Sequence, residues 1–122
     1  MNRFKGLGTA LVTPFREGVV DYEAFRKMVE RQTDAGVDFL VPLGSTAETP
    51  CLEDSEKIMI LDIAKEMSRG LPVVAGVGTN SLRSTISNMA LLSAADAFLV
   101  VVPYYNKPVQ RGLYEYFTAV AA

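Results

Sequence analysis

The sequence predicts an α/β fold: four strand–helix units around a parallel sheet. Two observations carry this. Short runs of β-branched and other apolar residues alternate with longer stretches in which apolar residues recur at helical spacing. The short runs are also almost continuously apolar, as expected of parallel strands covered by helices on both faces.

The first strand is expected over residues 8–13, Gly-Thr-Ala-Leu-Val-Thr, closed by Pro14. Asp21 suits a helix N-cap, and Phe25, Met28 and Val29 then recur at helical spacing until Gly36. A second strand covers 38–43 and ends at Gly44. Asp54 or Ser55 can cap the second helix, which presents Ile58, Leu61, Ile63, Ala64 and Met67 inward and stops at Gly70. Residues 72–77 form the third strand. Ser81 caps a third helix carrying Leu82, Ile86 and Met89. Residues 97–102 form the fourth strand, closed by Pro103, and a last helix starts near Gln110 with Leu113, Tyr116, Phe117 and Val120.

Two architectures accept four such units: a small doubly wound open sheet and a closed barrel. A complete (βα)8 TIM barrel needs ~250 residues, so this chain corresponds to about half of one. The last helix reaches Ala121-Ala122 without a glycine, basic or proline stop signal. The pattern favours residues 1–122 as the N-terminal half of a TIM-barrel domain, its first four βα units, cut after the fourth, over a complete small open sheet.

Composition narrows the function. At net charge −2, with acidic and basic residues interspersed, there is no clustered Lys/Arg footprint for nucleic acid or for an anionic membrane. No apolar run approaches the ~20 residues of a membrane span, and Met1-Asn2-Arg3-Phe4-Lys5 leads into glycines rather than a leader core. A reducing cytoplasm is the expected location. One cysteine, Cys51, allows no internal disulfide, and the absence of histidine argues against zinc chemistry and a Ser-His-Asp triad.

Ligands of both architectures bind at the C-terminal ends of the strands. The segments that follow the four strands are Thr13-Pro14-Phe15, Gly44-Ser45-Thr46-Ala47-Glu48-Thr49, Gly78-Thr79-Asn80 and Pro103-Tyr104-Tyr105-Asn106-Lys107-Pro108. Gly44-Ser45-Thr46 offers close backbone approach, N–H groups and two hydroxyls to an anion such as a carboxylate. It equally suits a turn in which those hydroxyls bond backbone groups. Glu48 is expected to brace this loop. Adjacent residues of an extended segment point oppositely, so one of Tyr104 and Tyr105 can enter the cavity while the other packs outward or meets a partner. A tyrosine can pass a proton if a neighbour assists, and Ser45 is a possible partner. An imine-forming lysine needs a desolvated site, and none of Lys5, Lys27, Lys57, Lys65 or Lys107 falls in a predicted strand. Gly76-Val77-Gly78 lacks the third glycine of a dinucleotide fingerprint, Ser81 standing in its place.

Gly8-Thr9-Ala10-Leu11-Val12-Thr13-Pro14-Phe15, Gly44-Ser45-Thr46-Ala47-Glu48-Thr49, Ala75-Gly76-Val77-Gly78 and Pro103-Tyr104-Tyr105-Asn106-Lys107-Pro108 together resemble, in order and over nearly the whole chain, the 4-hydroxy-tetrahydrodipicolinate synthase and N-acetylneuraminate lyase superfamily of pyruvate-handling class I aldolases. The Pro-Tyr-Tyr-Asn-Lys-Pro run is similar to the synthases rather than the sialic-acid lyases. Ser45 departs from the usual synthase threonine but keeps the hydroxyl. The link between Asn88 and Asp96 is shorter than the family pattern, with Ala95 in place of the usual glycine.

The resemblance implies a carbon–oxygen lyase of lysine and diaminopimelate biosynthesis. It condenses pyruvate, held as a lysine imine, with L-aspartate 4-semialdehyde, and needs no metal or organic cofactor. It implies substrate binding by Ser45 and Thr46, a catalytic proton relay through Ser45 and Tyr105, and a homo-oligomer, a tetramer built from dimers, in which Tyr105 enters the neighbour's site. The imine lysine, a second relay tyrosine and the arginine for the semialdehyde belong to the family's second half, so the chain as given is expected to be inactive. The resemblance also implies an inhibitory lysine region at Thr49, Pro50, Asn80, Ser84 and Tyr104; Asp54 and Ser84 differ from the residues usual in sensitive enzymes. The alternatives are another pyruvate-forming aldolase, for N-acetylneuraminate or a 2-keto-3-deoxy-sugar acid, and a non-catalytic carboxylate-binding half-barrel.

Overall fold

A computed structural model describes residues 3–122; Met1 and Asn2, at the head of the segment read as lacking a leader, lie outside the described residues. In chain order the elements are β1 (Gly8–Ala10), β2 (Phe15–Arg16), β3 (Val19–Val20), α1 (Tyr22–Asp34), β4 (Phe39–Val41), α2 (Asp54–Met67), β5 (Val74–Gly76), α3 (Leu82–Leu91), β6 (Ala97–Leu99) and α4 (Gln110–Ala121). Two 3-10 turns, Ser45–Ala47 and Thr49–Cys51, lie between β4 and α2.

The four main strands are parallel and adjacent in chain order. β1 pairs with β4 in the register Gly8↔Phe39, Thr9↔Leu40, Ala10↔Val41. β4 meets β5 through a Leu40↔Val73 bridge and the bond from Gly76 N–H to the Pro42 carbonyl. β5 pairs with β6, Val74↔Ala97 through Gly76↔Leu99. Each strand is shorter than the six-residue run expected. In β4 the cause is local: Pro42 has no N–H to continue the ladder. Single bonds, Leu11 N–H to the Val41 carbonyl and Val77 N–H to the Leu99 carbonyl, carry the pairing slightly further.

The hairpin of β2 and β3 was not expected. Glu17 (φ 52°) and Gly18 (φ 83°) form its two-residue turn, and two positive φ values there match the right-handed twist of the strands. The hairpin delivers the chain to α1, whose cap is the expected one: the Asp21 carboxylate accepts from Ala24 N–H at 2.9 Å. That bond holds the Asp21 carboxyl below its ordinary pKa against an opposing effect of burial, and Arg16 adds to the lowering.

The cap of α2 lies one residue earlier than expected, at Glu53. The Glu53 side chain accepts an N–H of the first turn while the Glu56 carboxylate accepts from Glu53 N–H at 2.8 Å, a reciprocal box that neither Asp54 nor Ser55 forms. Ile60, with Leu61 and Ala64, takes the inner face, leaving Ile58 exposed. The third helix also departs from its apolar pattern. Leu82 and Ile86 are 37% and 46% exposed, while Thr85 is fully buried. The short link after it closes through Leu92 N–H to the Asn88 carbonyl and Ala95 N–H to the Leu92 carbonyl, and Asp96 N–H then meets the Val73 carbonyl.

The core lies between one face of the sheet and the helices, centred on Phe25, Val29, Leu40, Ile60, Ile63 and Val73. Burying each of these side chains contributes ~1.5–3 kcal/mol before entropy is charged. The other sheet face is not covered as the apolar strands led one to expect: Val12, Leu99 and Val101 are exposed on it. An uncovered inner face is what a partial barrel presents.

Candidate functional site

At the C-terminal ends of β4, β5 and β6 a cleft of about 340 Å³ opens between the strand ends, lined by Gly44, Ser45, Thr49, Gly78, Leu99 and Tyr104 among others. Its floor depends on close backbone packing. Leu43 is buried in a left-handed conformation (φ 62°), an uncommon state for a bulky residue. It sets its carbonyl directly over Gly76, where any Cβ would collide with it.

The Gly44-Ser45-Thr46 segment forms the turn after Leu43. Neither the Ser45 nor the Thr46 hydroxyl forms a hydrogen bond among the described residues. The loop is instead closed by Thr49, whose Oγ1 donates to the Gly44 carbonyl at 3.0 Å. Ala47 N–H and Glu48 N–H bond back to Gly44 and Ser45, leaving the N–H groups at the start of the turn without an acceptor among the described residues. Ser45 lines the cleft, whereas Thr46 is exposed beside it. Glu48 does not brace the loop with its carboxylate: it is exposed and left-handed (φ 55°), and its backbone joins the two 3-10 turns.

The tyrosines lie in a turn rather than in the extended segment expected. Tyr104 lines the cleft; Tyr105 is 92% exposed and does not line it. Tyr105 stands at φ 67°, and Asn106 N–H donates to the Tyr104 carbonyl at 2.8 Å. This is a three-residue turn around a positive-φ centre, the rare and strained kind of γ-turn. Among the described residues no hydrogen bond joins Ser45 to either tyrosine.

Thr13, expected on the ligand face, is 4% exposed, does not line the cleft and leaves its Oγ1 unpaired. The residues of the implied inhibitory region fall at three places. Thr49, Pro50 and Tyr104 line the cleft beside Ser45. Asn80 bonds to Asn106, and Ser84 borders a separate depression with Asp54, Lys57 and Arg83. No lysine lines the cleft.

Sequence reading missed the support beneath the 78–80 loop. The Thr85 hydroxyl accepts from Thr79 N–H at 2.9 Å and meets the Tyr116 hydroxyl at 2.9 Å, and Tyr116 donates to the Thr79 carbonyl at 2.9 Å. The one available signal was a threonine three residues after Leu82 and four before Met89, on the face expected to turn inward.

A parallel βα array with an uncovered inner face and a cleft at the C-terminal strand ends is a segment of a TIM barrel. The sequence model of the dihydrodipicolinate synthetase family matches residues 3–122, and the chain belongs to that family. It is 48% identical over 121 residues to the 4-hydroxy-tetrahydrodipicolinate synthase of Parabacteroides distasonis, covering 96% of this chain and 41% of that protein. It superposes on the crystal structure of dihydrodipicolinate synthase from Thermotoga maritima with a TM-score of 0.94 at 38% identity, covering 98% of this chain and 42% of that one. The chloride-inhibited dihydrodipicolinate synthase of Acinetobacter baumannii, solved with pyruvate, aligns with a TM-score of 0.90 at 36% identity over 95% of this chain and 41% of that one. The chain thus spans about two fifths of the length of the relatives it matches.

Proposed function

We propose that residues 1–122 form the first half of the barrel domain of a 4-hydroxy-tetrahydrodipicolinate synthase. The complete protein condenses pyruvate, as a lysine imine, with L-aspartate 4-semialdehyde. It works as a cytoplasmic homo-oligomer, a tetramer built from dimers, without a metal or organic cofactor, and this segment is inactive alone. The observation that carries the reading is the Gly44–Thr49 turn, with two unpaired hydroxyls beside a cleft at the strand ends of a synthase-like chain. In this role Ser45 and Thr46 donate to the pyruvate carboxylate, which the relative from Acinetobacter baumannii shows to be a ligand of that enzyme. Closure of the turn by Thr49 keeps both hydroxyls off the backbone and available to substrate.

Tyr105 acts as the relay hydroxyl in a neighbouring subunit's site. Its exposure and its absence from the lining of its own cleft support this: a phenol serving its own chain's cleft would line it, as Tyr104 does. Thr49, Pro50, Asn80, Ser84 and Tyr104 are assigned to a lysine-responsive region on the resemblance alone.

Substitution of Tyr105 in the complete enzyme tests the reading. Tyr105→Phe keeps the ring and removes the proton, so turnover is expected to fall ~10²-fold. Hybrids with chains lacking the imine lysine should recover activity. Undiminished turnover in Tyr105→Phe would remove this residue from catalysis, and inactive hybrids of demonstrated composition would refute the cross-subunit arrangement.

A further inference from the structure

The structure assigns Asn106, acting with Asn80, the role of a positioning clamp that fixes the turn presenting Tyr105. The Asn106 Nδ2 donates to the Asn80 carbonyl at 2.8 Å, and Asn80 Nδ2 returns a longer bond, 3.3 Å, to Asn106 Oδ1. These bonds join the turn after β6 to the turn after β5. The turn they hold needs holding. Tyr105 and Lys107 flank Asn106, and both lie at positive φ, 67° and 48°; left to itself a segment of non-glycine residues relaxes out of that region.

The other end of the clamp is anchored. Thr79 is tied through its N–H and carbonyl to Thr85 and Tyr116, and its hydroxyl accepts from Ser81 N–H and donates to the Ser81 carbonyl. The Asn80 carbonyl therefore sits on a fixed loop, and the stronger bond of the clamp reaches a backbone atom that no side-chain change at position 80 removes. Force runs from the buried Thr85–Tyr116 pair through the 79–81 loop to Asn106, and from there to the aim of the Tyr105 phenol. Asn106 touches no reacting atom in this scheme; it acts through Tyr105, and the inference rests on Tyr105 being the relay hydroxyl.

The test is a double-mutant cycle in the complete enzyme. Asn106→Asp keeps the shape and the Oδ acceptor but removes the donor to the Asn80 carbonyl. It should lower kcat by ~10- to 100-fold, the scale set by ångström-level misplacement of a reacting group, while KM for pyruvate stays within about twofold because the 44–49 turn is untouched. Asn80→Ala, which retains the carbonyl, should lose much less. In a Tyr105→Phe background Asn106→Asp should add almost nothing to the loss. Backbone amide exchange at position 106 should quicken in Asn106→Asp whether or not Tyr105 is substituted. If Tyr105→Phe is impaired while Asn106→Asp turns over normally, or if the two losses multiply, the clamp is refuted and the relay stands. If Tyr105→Phe turns over normally, the relay reading fails first and the clamp's role falls with it.

Discussion

The hydroxyls of Thr85 on α3 and Tyr116 on α4 lie 2.9 Å apart in the protein interior, and both bond to Thr79 in the loop between β5 and α3. Removing one oxygen from this triangle leaves buried partners short of a bond. Tyr116→Phe, which keeps the edge-on contact with Phe117, should destabilise the fold by about 1–2 kcal/mol. Thr85→Val should cost a similar amount, and the double variant less than the sum. Urea midpoints of the four proteins measure this; strict additivity would show the two hydroxyls to be independent.

Gly76 and Gly112 make an opposed pair. A methyl at Gly76 meets the Leu43 carbonyl and Gly44 nitrogen, backbone atoms that cannot swing aside. Gly76→Ala should cost about 1–3 kcal/mol, the usual range for overpacking. Gly112 lies within α4, and a methyl there meets only the Pro108 side chain at 3.5 Å, ordinary contact. Gly112→Ala should stabilise by about 0.5–1 kcal/mol through helix propensity. Thermal or urea unfolding of both variants checks the signs.

Acid should weaken the joint between α2 and the sheet. Burial alone would raise the Asp96 carboxyl, but bonds from Lys65 Nζ and Val73 N–H, both 2.8 Å, and the charges of Lys65 and Arg3 outweigh it and hold the pKa below the ordinary value. A depressed folded pKa contributes stability that is fully present above the unfolded value and is lost as pH falls through the folded one. Asp96→Asn should therefore be less stable than the parent at pH 7, and the gap should narrow as pH falls below the ordinary carboxylate range. An unchanged gap across that range would remove Asp96 from the acid response.

Pyruvate and borohydride should leave no stoichiometric adduct on this chain. Lys27, Lys57 and Lys65 are paired with Glu23, Asp54 and Asp96, Lys5 and Lys107 are exposed, and none lines the cleft. An imine-forming amine must be desolvated to be neutral near pH 7. Mass spectrometry after reduction decides the matter, and a pyruvyl-lysine on any of the five would contradict it.

What could be read from the sequence was set by how local each determinant is. The first helix is local: Asp21 caps it, Phe25 and Val29 are one turn apart and buried, and Gly36 (φ 81°) follows its end. The strand order follows from the handedness of βαβ crossovers. In α3 the apolar pattern misleads, because the inward position is held by Thr85, whose hydroxyl is satisfied by a tyrosine 31 residues away. The hairpin escaped because two-residue strands are too short to show a period of two. Within the site, the place of Ser45 and Tyr104 at the strand ends was legible from their position after apolar runs, whereas the positive-φ turn at Tyr105 was not. The Asn80–Asn106 bonds, which join loops 26 residues apart, leave no trace in spacing.

The adjacency of β1, β4, β5 and β6 in chain order also bears on how the fold is reached. Each strand pairs with its immediate predecessor in the parallel set, at separations of 31, 33 and 23 residues (Gly8↔Phe39, Leu40↔Val73, Val74↔Ala97), and no later strand inserts between two earlier ones. Loop-closure entropy is thus met in small instalments. The sheet can lengthen by one strand and one helix at a time, in the direction of synthesis, without undoing what has formed. Such a chain suits vectorial folding during translation, where each unit docks on the one that emerged before it.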